Sequence, residues 1–467
     1  MKARIFLTPF FIFHFLSVSA QLEFAIVDSI ALSGNERTKD RIIFRELDIS
    51  DGDTIFLNFL DERLEWNRLQ LMNTGLFSKA KIDISNWRPP DNKLTLKVDL
   101  KESWYLYPIP ILELADRNFN VWWNEHNHSL SRLNYGLRLY HTNFTGRRDY
   151  LKFVVQLGYT HNYELKYTIP YLNKKQTWGL AFDANFKRNR EIQYTTVGDK
   201  QQFYKDDEKF IFEQFENSLI FSYRPAHRIY HHFDFFYRQG RVDAYIGRGI
   251  KPAYFLGQKD IQRYFSVGYR FNYDSRNIRP YPTEGILFEL QVEKKGLGIF
   301  DDINALFVKS KFVNYWEISK KFNLECVLEA TTGLIRSRQP FNNSRALGFG
   351  KTFVRGYEYY VVDGLDYALT RNSLRYEIFN KELQFGKWVP LKAFRTLPIK
   401  AYAVINADAG YANNPFFSNQ NSLHNKLLIG GGPGINLIFY YNMVFKIEYS
   451  FNGLGEKGIF LHTELGF

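Results

Sequence analysis

Met443-Val-Phe-Lys-Ile-Glu-Tyr-Ser-Phe451 decides the architecture of this chain. Met443, Phe445, Ile447, Tyr449 and Phe451 are apolar or aromatic, and Val444, Lys446, Glu448 and Ser450 lie between them. Successive side chains of a strand point to opposite faces, so one face here is apolar and the other carries charge. Leu151–Tyr159 and Ile286–Glu293 repeat the pattern, with Lys152 and Gln156, then Glu289, Gln291 and Glu293, on the second face. Beyond the N-terminus no apolar run approaches the roughly 18–20 residues that a spanning helix needs. A mature chain that crosses a membrane must then do so as a closed β-barrel, lipid on one face and a wet lumen on the other.

Outward from that stretch, alternating runs begin near Trp104, Arg132, Asp149, Glu164, Thr177, Phe210, Ile229, Gln262, Gly285, Ala305, Lys321, Asn372, Ile399, Lys426, Tyr440 and Gly458. They predict a transmembrane β-barrel of about 16 antiparallel strands over residues 103–467, an even number that returns both ends to one side. Trp104, Tyr105, Tyr107, Trp122 and Trp123, near strand ends, are expected in the interfacial girdles. Cys326 shares parity with Phe322, Leu324 and Leu328 and reads as a small apolar filler on the lipid face. As the only cysteine, it excludes an intrachain disulfide.

Residues 22–102 read differently, as one small α+β domain in the order βααββ. Ala25–Leu32 is strand-like, Thr38 or Asp40 can cap a helix to about Glu46, and Asp48–Asp53 is a turn. Leu60, Leu64 and Leu71 share one face of a second helix, which Gly75 is placed to stop. Lys79–Ile84 and Leu94–Leu100 alternate as two strands. Ahead of this domain, Lys2 and Arg4 precede an apolar run from Ile5 to Leu16 and then Ser17-Val-Ser-Ala20. Residues 1–20 are therefore expected to be a cleaved signal peptide, with Val18 and Ala20 at the cleavage site.

Of the 467 residues, 18% are aromatic, yet the mean hydropathy is negative, as two-faced strands require. The formal charge of +12 is spread along the chain without a basic block, which argues against nucleic acid. His227, His231 and His232 cluster near a strand start with no metal-ligand spacing and no serine-based motif. The expectation is no enzyme, no cofactor and no metal.

The long connection at 337–371 holds Phe353-Val-Arg-Gly-Tyr357. Along Ile399–Tyr411 the odd positions are apolar, so Asp408 faces the lumen with Lys400 and Asn406. Glu377 shares parity with Ser373 and Arg375 on the preceding strand and is also expected inside. A connection folded back into the lumen would let Arg355 meet one or two wall carboxylates, a match for its planar guanidinium. Gly356 would permit a tight backbone there, and Tyr357 could stack against the wall.

Val354-Arg355-Gly356-Tyr357 resembles the lumen-loop motif of the BamA/TamA family of outer-membrane assembly and translocation barrels. Asp274-Ser-Arg276 with Pro282 and Gly285 resembles that family's strand-entry motif, and Asp408-Ala-Gly410 its wall motif. Leu465 and Phe467, closing an alternating run, resemble the β-signal of outer-membrane barrels, and residues 22–102 resemble a POTRA domain. The resemblance implies a protein of the Gram-negative outer membrane whose partners are the lipid bilayer and client polypeptides. Its N-terminal domain would sit in the periplasm, receiving clients and possible partner proteins, with the seam between first and last strands as a second client site. A single POTRA-like domain favours an accessory or specialised assembly factor. The alternatives are a two-partner secretion transporter, a passive pore and a barrel enzyme.

Overall fold

The computed structural model describes residues 23–464 except 117–118, 207, 250–253, 280, 301, 387–388, 390–394, 417–419 and 440–442. The signal-peptide segment and the Leu465/Phe467 pair lie outside the described residues.

The N-terminal module runs β1 (Phe24–Ser33), α1 (Asp40–Glu46), β2 (Thr54–Phe56), α2 (Leu60–Asn73), β3 (Phe77–Arg88) and β4 (Lys93–Glu102). Its sheet has the order β2-β1-β4-β3, with β1 parallel to β4. Ile42, Ile43, Leu71, Leu76 and Val98 form the core between helices and sheet. Gly75, at φ +74°, ends α2 in the left-handed region. The order is βαβαββ, a correction to βααββ. Three residues are too few for a period-two signal, and β2 exists because Thr54–Phe56 completes the open edge of β1.

The barrel strands are β5 (Leu106–Leu114), β6 (Leu133–His141), β7 (Tyr150–Gly158), β8 (Thr160–Ile169), β9 (Trp178–Asn189), β12 (Phe212–Ala226), β13 (Ile229–Val242) and β14 (Ile261–Asp274). They continue with β15 (Gly285–Lys295), β16 (Ala305–Ser319), β17 (Phe322–Gly333), β20 (Asp366–Gln384), β21 (Thr396–Asn413), β22 (Leu427–Ile438), β23 (Val444–Asn452) and β24 (Lys457–Glu464). These form one 16-stranded antiparallel sheet in sequence order. Two hairpins missing from the sequence reading stand outside it: β10 (Glu191–Val197) with β11 (Lys200–Lys205), and β18 (Arg345–Leu347) with β19 (Val362–Asp363). A helix, α3 (Phe119–Asn124), lies between β5 and β6.

Because the strands alternate direction, the connections fall at two ends. The module docks on the turns of one end. Glu46 of α1 accepts from Arg148 (2.9 Å), from Arg224 (2.6 and 2.8 Å) and from the Tyr171 hydroxyl (2.7 Å), three residues from three separate turn regions. Around it, Arg45 donates to the Gln176 and Arg224 carbonyls, Asn73 to the Asn277 carbonyl, and Arg228 lies over the Trp66 ring. Tyr105 is buried, with its hydroxyl on Thr38 (3.0 Å) and the Leu76 carbonyl (3.1 Å), and Tyr107 is buried as well. Neither lies in an exposed girdle: the odd parity of β5 turns them inward, and the docked module covers Tyr105.

Candidate functional site: the lumen loop and the barrel seam

The connection from β17 to β20 carries Arg355 to the inner wall. Its guanidinium donates to Asp408 Oδ1 (2.8 Å), lies 3.0 Å from Glu448 Oε1, and reaches Ser373 Oγ (3.3 Å). Its backbone N–H donates to Asp408 Oδ2 at 3.1 Å. All three ionised groups are buried. One cation between two carboxylates, each with further hydrogen bonds, is a contact whose disruption would strand a buried charge.

The backbone makes this approach possible at three glycines. Gly356 has φ +88°, and a Cβ there would lie 2.6 Å from the Phe451 carbonyl oxygen. Its own carbonyl accepts from Asn452 Nδ2 at 2.7 Å. A Cβ on Gly410 would lie 2.6 Å from Val354 Cγ2, and one on Gly430 would collide with the Arg355 carbonyl oxygen. Val354 and Tyr357 are buried against Leu347, Leu369, Ala412 and Leu428, and the Tyr357 hydroxyl accepts from the Gly453 N–H at 3.2 Å.

Glu377 does not join this cluster. The register sets Glu377 opposite Tyr402 and Arg371 opposite Asp408, six residues apart along β21, and Glu377 accepts from the Tyr402 hydroxyl instead (2.9 Å). The second carboxylate is Glu448, which also accepts from Asn406 Nδ2 at 3.2 Å. Its signal was present in the polar face of Met443–Phe451, but nothing local pairs it with a loop ninety-odd residues away. Gly430 was signalled only by the run Gly430-Gly-Gly432 inside a strand, the composition that marks close backbone approach.

Asp274 binds Arg276 (2.8 and 3.0 Å) and Arg279 (3.1 Å) in the β14–β15 connection at the module end, far along the chain from the loop tip. Gly285 enters β15 at φ +103°, and the Pro282 carbonyl accepts from Arg375 at 3.0 Å. His227 bonds the Arg45 carbonyl (2.9 Å) and His231 the Tyr269 hydroxyl (2.8 Å). Among the described residues no group of three or more His, Cys, Asp or Glu could hold a metal ion.

The loop also holds the last strand. Phe353 stacks on His462 (5.1 Å between ring centroids), Tyr359 meets Phe460 edge-on (5.6 Å), and Glu358 lies 3.7 Å from His462. Among the described residues, no register joins β24 to β5, the two ends of the sheet. A cavity of about 1210 Å³ inside the barrel is lined by Leu112–Leu114 on one side of that seam and Leu461–Glu464 on the other, with Arg355 and Glu448 between.

Residues 143–374 match the model of the Omp85 superfamily domain. This chain belongs to the Omp85 superfamily. It is an outer-membrane barrel of the protein-insertion or protein-secretion kind. Its fold is similar to that of BamA from Haemophilus ducreyi lacking POTRA domains 1–3, at 14% identity and TM-score 0.50, over 94% of this chain and 84% of that one. It is also similar to CdiB from Escherichia coli (9% identity, TM-score 0.57, 94% and 76% covered) and CdiB from Acinetobacter baumannii (11%, 0.51, 94% and 73%). No curated protein matches the sequence.

Proposed function

We propose that this Omp85 barrel assists the insertion or translocation of other polypeptides, as an accessory or specialised assembly factor. Residues 22–102 act as its POTRA-like periplasmic domain and residues 103–467 as its membrane barrel. The observation that carries the reading is the seam. A barrel sealed by hydrogen bonds has no edge to offer, whereas strand ends left unpaired invite strand addition. Here the described part of the first and last strands shares no ladder, while a charged loop inside the lumen supports the last strand. Val354, Arg355, Gly356 and Tyr357 with Asp408 and Gly410 act as the loop-to-wall lock; Asp274, Arg276, Pro282 and Gly285 shape a turn beneath it. No cofactor or catalytic group is required, because folding of a client into the bilayer is itself favourable. Leu465 and Phe467 serve as this chain's own assembly signal, and no nucleic acid takes part.

Quantitative outer-membrane proteomics after conditional depletion tests this. Loss of a small set of exported or barrel proteins is the expected result. Broad loss of barrels would make the role general, loss of one exported protein would make it a dedicated secretion transporter, and an unchanged proteome would sink the reading.

A further inference from the structure

At the module end of the barrel, Trp104 precedes β5 and Trp178 opens β9, and both are exposed. Indole rings gather where the hydrocarbon of a bilayer meets its headgroups, so they mark that level on the barrel. Phe144, in the turn from β6 to β7 at the same end, is exposed as well. It continues the outward apolar row of Leu106, Leu137 and Phe153, which are exposed on β5, β6 and β7 in parity opposite to the inward-facing Tyr105 and Tyr107.

The module brings charge to this boundary. Residues 35–41 meet the β6–β7 turn through the backbone: the Lys39 N–H donates to the Gly146 carbonyl at 3.0 Å, and a Cβ on Gly146 would collide with the Arg37 carbonyl oxygen. The Arg37 guanidinium donates to the Phe144 carbonyl at 3.3 Å, which sets a cation on the backbone of an exposed apolar residue. Module and turn together border an open cavity of about 570 Å³, whose cations are Arg37, Lys39, Arg41 and Arg147. Its carboxylates are Glu36 and Asp40, and Asp40 already accepts from Asn35 Nδ2 at 2.7 Å. Among the described residues, Lys39, Arg41 and Arg147 make no ion pair and no side-chain hydrogen bond. Glu46 serves Arg148 and Arg224 in the turns nearby, but these four cations have no such centre. Like charges gathered from two domains repel unless an anion sits among them.

We propose that this cavity binds the headgroup of an anionic phospholipid from the leaflet on the module side. The lipid phosphate sits among Lys39, Arg41 and Arg147, and the acyl chains lie on Phe144 and the outward apolar row below it. A free phosphate would meet the charge and leave that apolar row unused. A zwitterionic phospholipid carries its own ammonium beside the phosphate and gains less from the four cations. One lipid then touches both the module and the barrel, so it reinforces the junction that Glu46 closes and makes module docking sensitive to lipid charge. The proposal needs only the membrane barrel and its docked module, and it stands apart from the polypeptide-handling reading.

The test uses the full chain in phosphatidylcholine vesicles that contain a trace of phosphatidylglycerol with a diazirine near the head of one acyl chain. A matching phosphatidylcholine probe is the comparison, and labelled peptides are mapped by mass spectrometry. Phosphatidylglycerol should label the segment around Phe144 in preference to phosphatidylcholine. Lys39→Gln, Arg41→Gln and Arg147→Gln should each lower that yield roughly fivefold, the worth of one basic residue near an anionic surface. Heat-resistant migration on a gel checks that each variant still holds a folded barrel. Lys93→Gln, at the opposite end of β4, should leave the yield unchanged; an equal loss there would mean a general attraction to negative lipid and would overturn the site. Equal labelling by the two probes would overturn it as well. Labelling abolished by inorganic phosphate, but not by chloride at the same ionic strength, would make this a free-anion site and overturn the lipid assignment.

Discussion

Two buried ion clusters hold this molecule together, and they are near mirror images in charge. At the lumen loop one guanidinium, Arg355, serves two carboxylates, Asp408 and Glu448. At the module one carboxylate, Glu46, serves two guanidiniums, Arg148 and Arg224. The first ties a loop to the wall of its own barrel. The second ties one domain to another, through three turns that share nothing in sequence. The lone central ion is the vulnerable one in both, because its removal leaves two like charges facing each other out of water.

The comparison is broken most severely at its first member. Arg355→Met should cost about 3–5 kcal/mol, seen as loss of heat-resistant barrel migration on a gel. Adding Glu448→Gln should recover part of that loss by removing one stranded carboxylate; if it recovers nothing, Glu448 is not part of the cluster. Glu46→Gln should cost about 3 kcal/mol at the domain junction. Its signature is faster hydrogen exchange in α1 and the docked turns with barrel migration unchanged, and joint loss of both would mean that the two clusters are not independent.

Protonation separates the clusters further. Burial opposes ionisation of Glu46, but the charges of Arg148 and Arg224 outweigh it and hold the carboxyl well below the usual range. A carboxyl depressed on folding stabilises above its unfolded value and loses that contribution as the pH falls through the folded one. Module docking should therefore hold near neutral pH and loosen only below about pH 4.5, the ordinary carboxyl value, in wild type. In Glu46→Gln the same acid dependence should be absent.

Gly430→Ala sharpens the first cluster without touching a charge. Its Cβ would meet the Arg355 carbonyl, so the loop must shift, at about 1–3 kcal/mol by thermal melting. The smallest effect is expected at the half-exposed pair of Arg88 and Asp28, where Arg88→Ala should change stability by about 0–1 kcal/mol. A larger loss there would mean that exposure does not rank these contacts.

The two clusters were not equally legible. Asp408 could be placed on the inner wall from parity alone, since period two assigns a face to every residue of a strand. Glu448 was visible as a lumen-facing carboxylate in Met443–Phe451, yet its partner was not, because parity gives a side of the sheet and no position around or along it. Glu377 shows the same limit: its face was read correctly, but its height on the wall puts it opposite Tyr402. Glu46 gave no signal at all. In a seven-residue helix it reads as one more polar position, and its burial follows from three turns closing over it.

The sequence by itself therefore determined that the barrel has about 16 strands and which face each residue takes, because side-chain alternation is a local property written every two residues. Tertiary structure alone decided which carboxylates receive Arg355, and that Glu46 of the N-terminal module meets Arg148, Tyr171 and Arg224 at the barrel turns. Those outcomes depend on register and barrel closure, and each is fixed only when segments distant in sequence are brought to hydrogen-bonding distance.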